Sequence, residues 1–170
     1  MKTILILNGK VINENQILEQ DIFVKDGKIN KIDNDLSSLS ADIVIDASGK
    51  YVMPGMIDDQ VHFREPGNLN KGSIKSEATA AVVGGVTSFF DMPNNNPPIV
   101  KNSQMDQKFS IAEQSSICNY AFYLGATNDN VEEIKNLRKD ACGVKIYMGA
   151  STWKMLVDNL KNLEEIFINS

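Results

Sequence analysis

Apolar and polar positions follow two different rhythms along the chain, and the change falls near residues 51–55. Before it, short alternating runs are broken by turn residues. Residues 3–7 read as a strand, and Asn8-Gly9 is a two-residue hairpin signal because both positions accept positive φ. Strands are predicted next over 10–12, 21–24 and 28–32, with a turn at Lys25-Asp26-Gly27. A polar loop over 33–40 leads to a strand over 41–46, where Ile43 and Ile45 alternate with Val44 and Asp46. Short strands at this spacing predict a small sheet or half of a sandwich.

After the boundary, strands alternate with helices. Strands are predicted over 56–63, 86–92, 119–125 and 143–148. Helices are predicted over 73–83, 103–115, 130–138 and 159–168. The first helix has Ile74, Ala78, Ala81 and Val82 on one stripe, and Gly84-Gly85 ends it. The second carries Met105, Phe109 and Ala112, and the third Val131, Ile134 and Leu137. Strand–helix alternation implies a parallel sheet with right-handed crossovers. The fold class is therefore α/β, with a β-rich segment over 1–53 and four βα units over 54–170. Four such units are half of an eight-stranded TIM-type barrel.

Composition narrows the function. A net charge of −5 with pI near 4.9 and no basic cluster counts against a nucleic-acid binder. No apolar run reaches the roughly 18 residues of a membrane span. The apolar start is cut short by Asn8-Gly9-Lys10 and reads as a first strand, not a secretory signal. Cys118 and Cys142 fit no metal or redox spacing and read as reduced, partly buried thiols of a cytoplasmic protein.

The candidate chemistry lies at or just past the carboxyl ends of the predicted strands, where barrels and open α/β sheets place their sites. Asp58-Asp59-Gln60-Val61-His62-Phe63-Arg64-Glu65-Pro66-Gly67 holds the chain's single histidine. If the strand runs on, Gln60, His62 and Arg64 share a face. A histidine at position 60 would complete a two-imidazole clamp, but glutamine is there, and a neutral amide is a poor zinc ligand. Lys145 lies between Val144 and Ile146, which point to the opposite face, so its inward placement needs a partner, Asp58 or Asp91 for example. Arg64 offers a forked pair of donors suited to a carboxylate.

The run Tyr51-Val52-Met53-Pro54-Gly55-Met56-Ile57-Asp58, followed by His62-Phe63-Arg64-Glu65-Pro66-Gly67, resembles the opening of the dihydroorotases and their cyclic-amidohydrolase relatives. Gly84-Gly85-Val86-Thr87, Asp91-Met92-Pro93-Asn94-Asn95-Asn96-Pro97 and Gly143-Val144-Lys145-Ile146-Tyr147-Met148-Gly149-Ala150-Ser151-Thr152 match further family motifs in order. The resemblance covers the whole chain but only the first part of a usual family member.

It implies a zinc-dependent hydrolase that interconverts a cyclic amide, dihydroorotate, and N-carbamoyl-L-aspartate. In such enzymes metal-activated water attacks the amide carbonyl. By the same resemblance, His62 corresponds to the second histidine of a metal-binding His-x-His pair, and Gln60 stands at the degenerate first position. Lys145 corresponds to the lysine that is carbamylated to bridge two metals, and Arg64 and Asn94 to residues that bind the substrate carboxylate.

Two departures stand out, Gln60 and Trp153-Lys154, the latter where the family commonly has glycine and asparagine. Glu65 is expected to be structural. The resulting expectation is a dihydroorotase-like chain, truncated and inactive alone. Its open strand edges would favour instability or a homodimer. The alternatives are a non-catalytic partner subunit of a pyrimidine-pathway enzyme such as aspartate transcarbamoylase, or an allantoinase-like or hydantoinase-like hydrolase.

Overall fold

The computed structural model describes residues 2–150 and 155–170. The chain forms two compact units, Met1–Pro54 and Gly55–Ser170. No helix among the described residues is long and apolar enough to cross a membrane.

The first unit is one mixed sheet of β1 (Thr3–Asn13), β2 (Gln16–Lys25), β3 (Lys28–Asp33), β4 (Ile43–Asp46) and β5 (Tyr51–Val52), in the order β3-β2-β1-β4 with β5 also beside β1. Asn8-Gly9 is not the predicted hairpin. β1 runs straight through it, and Asn8 adopts φ 60° as the extra residue of a bulge between the Ile6–Ile22 and Gly9–Gln20 pairs. Positive φ serves a bulge as well as a turn, and here the partner strand continues past it. The chain reverses at Glu14-Asn15 instead, both at positive φ, while Asp26-Gly27 turns β2 into β3 as predicted. Gly9 is required by packing, since a Cβ there would sit 2.7 Å from a Val52 methyl. Asp21, buried, holds the bulge: its two oxygens accept from the Asn8 and Leu36 N–H groups, each at 2.8 Å.

The second unit is α/β. Its parallel sheet contains β6 (Met56–Val61), β7 (Val86–Asp91), β8 (Asn119–Gly125) and β9 (Gly143–Lys145), in chain order. Helices α1 (Ile74–Val83), α2 (Asn102–Ser115), α3 (Val131–Lys135) and α4 (Leu160–Asn169) alternate with them. Ile74, Ala78, Met105, Ala112, Ile134 and Ile166 from the helices pack with Phe89, Phe122 and Leu124 of the strands in one buried core. Val82, placed on the first helix's apolar stripe by its spacing, is exposed. Ser73 caps α1, its hydroxyl accepting from the Ser76 N–H at 3.1 Å.

Several elements are shorter than the periodicity predicts. The third helix stops at Lys135 and not at 138. The fourth strand leaves β8 after Lys145, and Tyr147 then bridges to Leu156 in parallel. β6 also ends earlier than predicted, at Val61, so His62 lies just beyond it.

Candidate active site

The loops that leave β6 and β7 lie against each other and carry the site. Gly67 marks how close they come: it has φ 106°, and a Cβ there would lie 1.9 Å from the Asn96 carbonyl oxygen. The Asn96 N–H donates to the Pro66 carbonyl at 3.3 Å, and the Asn95 amide donates to the Glu65 carbonyl at 2.9 Å. Across this seam the His62 Nδ1 lies 2.7 Å from Asn94 Oδ1. The carbonyl oxygen accepts, so this bond takes its proton from Nδ1 and leaves Nε2 outside it.

Beneath the seam is a buried charge network. Asp91 ends β7, and its Oδ1 accepts from the Phe63 N–H at 3.0 Å. Its Oδ2 lies 2.7 Å from the Lys108 ammonium, with both side chains essentially without solvent contact. Lys108, from α2, also donates to Asn95 Oδ1 at 2.8 Å and lies 4.7 Å above the Phe122 ring. Burial pulls its pKa below the usual lysine range, against the opposing pull of the Asp91 carboxylate.

Lys108 and Asn95 were not legible as site-supporting residues from motif spacing. One signal existed: Lys108 sits three residues after Met105 and four before Ala112, a charge on an otherwise apolar helix face.

The predicted residues fall as follows. The strand face expected for Gln60, His62 and Arg64 is not formed, because β6 slips register between Asp58 and Val61 and ends at Val61. Arg64 has φ 68° in the turn after β6, and among the described residues its guanidinium has no ion pair. Gln60 is exposed, beside the register slip between Asp58 and Val61, and its N–H donates to Asp58 Oδ1 at 3.1 Å. Asn94 is bound to His62.

Lys145 is half-buried, its ammonium 5.2 Å from the Tyr147 ring centroid. The expected pairing with Asp58 or Asp91 is not made. Asp91 is taken by Lys108, because α2 brings a second lysine closer than β9 does. Glu65 is structural: its Oε2 accepts from the Ile74 N–H at 2.7 Å, at the start of α1. Trp153 and Lys154 lie outside the described residues.

Tyr147, not singled out by sequence, has a buried hydroxyl without a partner among the described residues. Burial pushes its phenol up, and Asp91 adds to this while Arg64 pulls it back down. Cys142 is pushed up to about 11, chiefly by burial, so its thiol stays protonated near neutrality. Both cysteines are free.

Zinc takes three or four protein ligands. Among the described residues no three His, Cys, Asp or Glu side chains converge. One imidazole, with a glutamine two residues before it, does not fit a zinc site by itself.

Comparison with known proteins places the fold in a family. Residues 51–154 match the amidohydrolase family. The chain is 36% identical over 155 residues to a dihydroorotase of Methanosarcina mazei, covering 89% of this chain and 34% of that protein. It is 34% identical over 142 residues to an allantoinase of Desulfitobacterium hafniense, covering 83% and 31%. The solved L-hydantoinase (dihydropyrimidinase) of Arthrobacter aurescens superposes with a TM-score of 0.90 at 34% identity, covering 98% of this chain and 38% of that one. The chain thus spans about a third of the length of the curated relatives it matches. Its second sheet is a parallel half-barrel.

Proposed function

The chain belongs to the amidohydrolase family, and from that membership we propose that it carries part of a cyclic-amide hydrolase site of dihydroorotase type, acting on dihydroorotate and N-carbamoyl-L-aspartate. The observation that carries this reading is the His62–Asn94 bond at the strand ends, with Arg64, which has no ion pair among the described residues, two residues on. Dihydroorotate bears a carboxylate, and Arg64 offers a fork of N–H donors that matches it. The Asn94 amide nitrogen, whose oxygen is already engaged by His62, adds a further donor. An acidic ring therefore suits these residues better than a neutral hydantoin. Allantoin is the nearest rival substrate.

Gln60 separates this chain from a self-sufficient enzyme. Zinc is the metal the family reading implies, with His62 and Lys145 as its ligands. With glutamine in place of the first imidazole, those residues hold it too weakly. The 170-residue polypeptide therefore does not turn over dihydroorotate by itself.

Purified protein supplied with zinc is expected to hydrolyse dihydroorotate no faster than buffer. Hydrolysis well above buffer refutes the inactive reading. Gln60→His is expected to tighten zinc binding in a competition titration, and an unchanged affinity counts against His62 as a ligand. Arg64→Met is expected to weaken dihydroorotate binding by about 1.5–3 kcal/mol in calorimetry, the usual worth of a hydrogen bond to a charged group. The same change should leave a neutral hydantoin unaffected.

Gln60 also favours a second reading, a non-catalytic subunit that pairs with itself or with a pyrimidine-pathway enzyme such as aspartate transcarbamoylase. Co-purification from native extract supports it, and a chain that sediments alone weakens it.

A further inference from the structure

We propose that Lys108, acting with Asp91, is a positioning residue that sets the orientation and the tautomer of His62 from outside the site. The ion pair between them is buried, and its charges cost desolvation that their attraction only partly offsets. An apolar pair of similar volume would fill the same space without that cost, so stability alone does not account for it.

What the pair holds accounts for it better. Asp91 Oδ1 holds the N–H of Phe63, the residue after His62, at 3.0 Å. Lys108 holds Asn95 Oδ1, the residue after Asn94, at 2.8 Å, and reaches the carbonyl of Met92 at 3.5 Å. Both members of the His62–Asn94 bond thus sit one residue from an atom anchored to the same ion pair. Asn95 extends the tether, because its amide nitrogen holds the Glu65 carbonyl of the facing loop.

An apolar pair provides neither the acceptor for Phe63 nor the donor for Asn95. Without those anchors the residues next to His62 and Asn94 lose their support, which the Asn96–Pro66 bond further along the seam does not replace. The Nδ1–H bond to Asn94, which keeps the proton off Nε2, then loses its alignment.

His62 is the chain's single histidine, so ¹⁵N spectra of the imidazole report one ring without assignment. Two variants are informative. Asn95→Ser leaves the ion pair intact and cuts the tether. Lys108→Met combined with Asp91→Asn removes both charges and keeps a carbonyl oxygen for the Phe63 N–H.

At about pH 8, where imidazole is ordinarily neutral, the unaltered chain is expected to be mostly in the Nδ1–H form. In each variant the ratio of Nδ1–H to Nε2–H should fall about fivefold, as the loss of one ordinary hydrogen bond predicts. Helix content by circular dichroism should not change. An unaltered ratio in folded variants overturns the proposal, and so does an Nε2–H majority in the unaltered chain. Should the double variant not fold, Asn95→Ser decides alone.

The inference deepens the hydrolase reading, since it takes His62 and Asn94 as site residues. Its readout needs neither substrate nor zinc, so failure of hydrolysis leaves it standing, and its own failure leaves the hydrolase reading standing.

Discussion

Two buried aspartates do the same mechanical task in the two units by different means. Asp21, in the first unit, fastens a bulge to a loop using backbone donors alone, the N–H groups of Asn8 and Leu36. Asp91, in the second, fastens the turn after β6 with one oxygen and takes a lysine on the other. Asp21 accepts two backbone N–H bonds and is satisfied without a cation, whereas Asp91 accepts one and has the Lys108 ammonium at its other oxygen. The added cation reaches Asn95 as well and so joins a second loop to the first. Backbone stitching is enough where one loop must stay in place. A buried charge appears where two loops must keep register beneath candidate chemistry.

The comparison can be broken most directly at Lys108. Lys108→Met alone leaves a buried carboxylate without its cation and is expected to cost about 3–5 kcal/mol in urea unfolding. Combining it with Asp91→Asn should recover most of that loss. A single variant as stable as the unaltered chain would mean that Asp91 resembles Asp21 after all.

Asp21→Ala comes next. It orphans two backbone N–H groups and is expected to cost about 2 kcal/mol, whereas Asp21→Asn, which keeps one carbonyl oxygen, should cost about half as much. Backbone stitching by side chains recurs at the start of α1, where Ser73→Ala is expected to cost about 1 kcal/mol. Glu65 still holds the Ile74 N–H in that variant, so helix content should persist.

The smallest effect is a pH dependence of the first unit. Asp46 is held at about 2, below its usual 3.8, by the Ser48 hydroxyl, then the Asn8 amide and the Ser48 N–H. A carboxyl whose pKa is depressed on folding contributes stability above its unfolded value. That contribution disappears as pH falls through the folded one. The window therefore lies between 3.8 and about 2. Asp33, Asp35 and Asp42 are lowered in the same direction by their own hydrogen bonds. Asp46→Asn should flatten the acid limb of an unfolding titration slightly, and an unchanged limb would show that these surface bonds carry no weight.

Local pattern determined a good deal. The eighth strand falls at residues 119–125 as its apolar run predicts, and Asp26-Gly27 makes the predicted turn. The first and fourth helices start one residue later than predicted, because Ser73 and Asn159 cap them from just outside. Ile74, Ala78, Met105 and Ala112 are buried as their spacing requires. Such features depend on side-chain periodicity and cap chemistry within a few residues, and a linear sequence contains both.

Tertiary structure decided the rest. Asn8-Gly9 has the chemistry of a hairpin, and only the continuing partner strand makes it a bulge. Arg64 follows His62 by two positions, yet a left-handed turn takes it off the strand. Lys145 and Lys108 are both lysines that could serve Asp91. The packing of α2 over the sheet chose the one that no motif marked. Alternation tells which face a residue prefers. Which opposite charge it meets there depends on elements dozens of residues away, whose placement is set by the burial of the whole core.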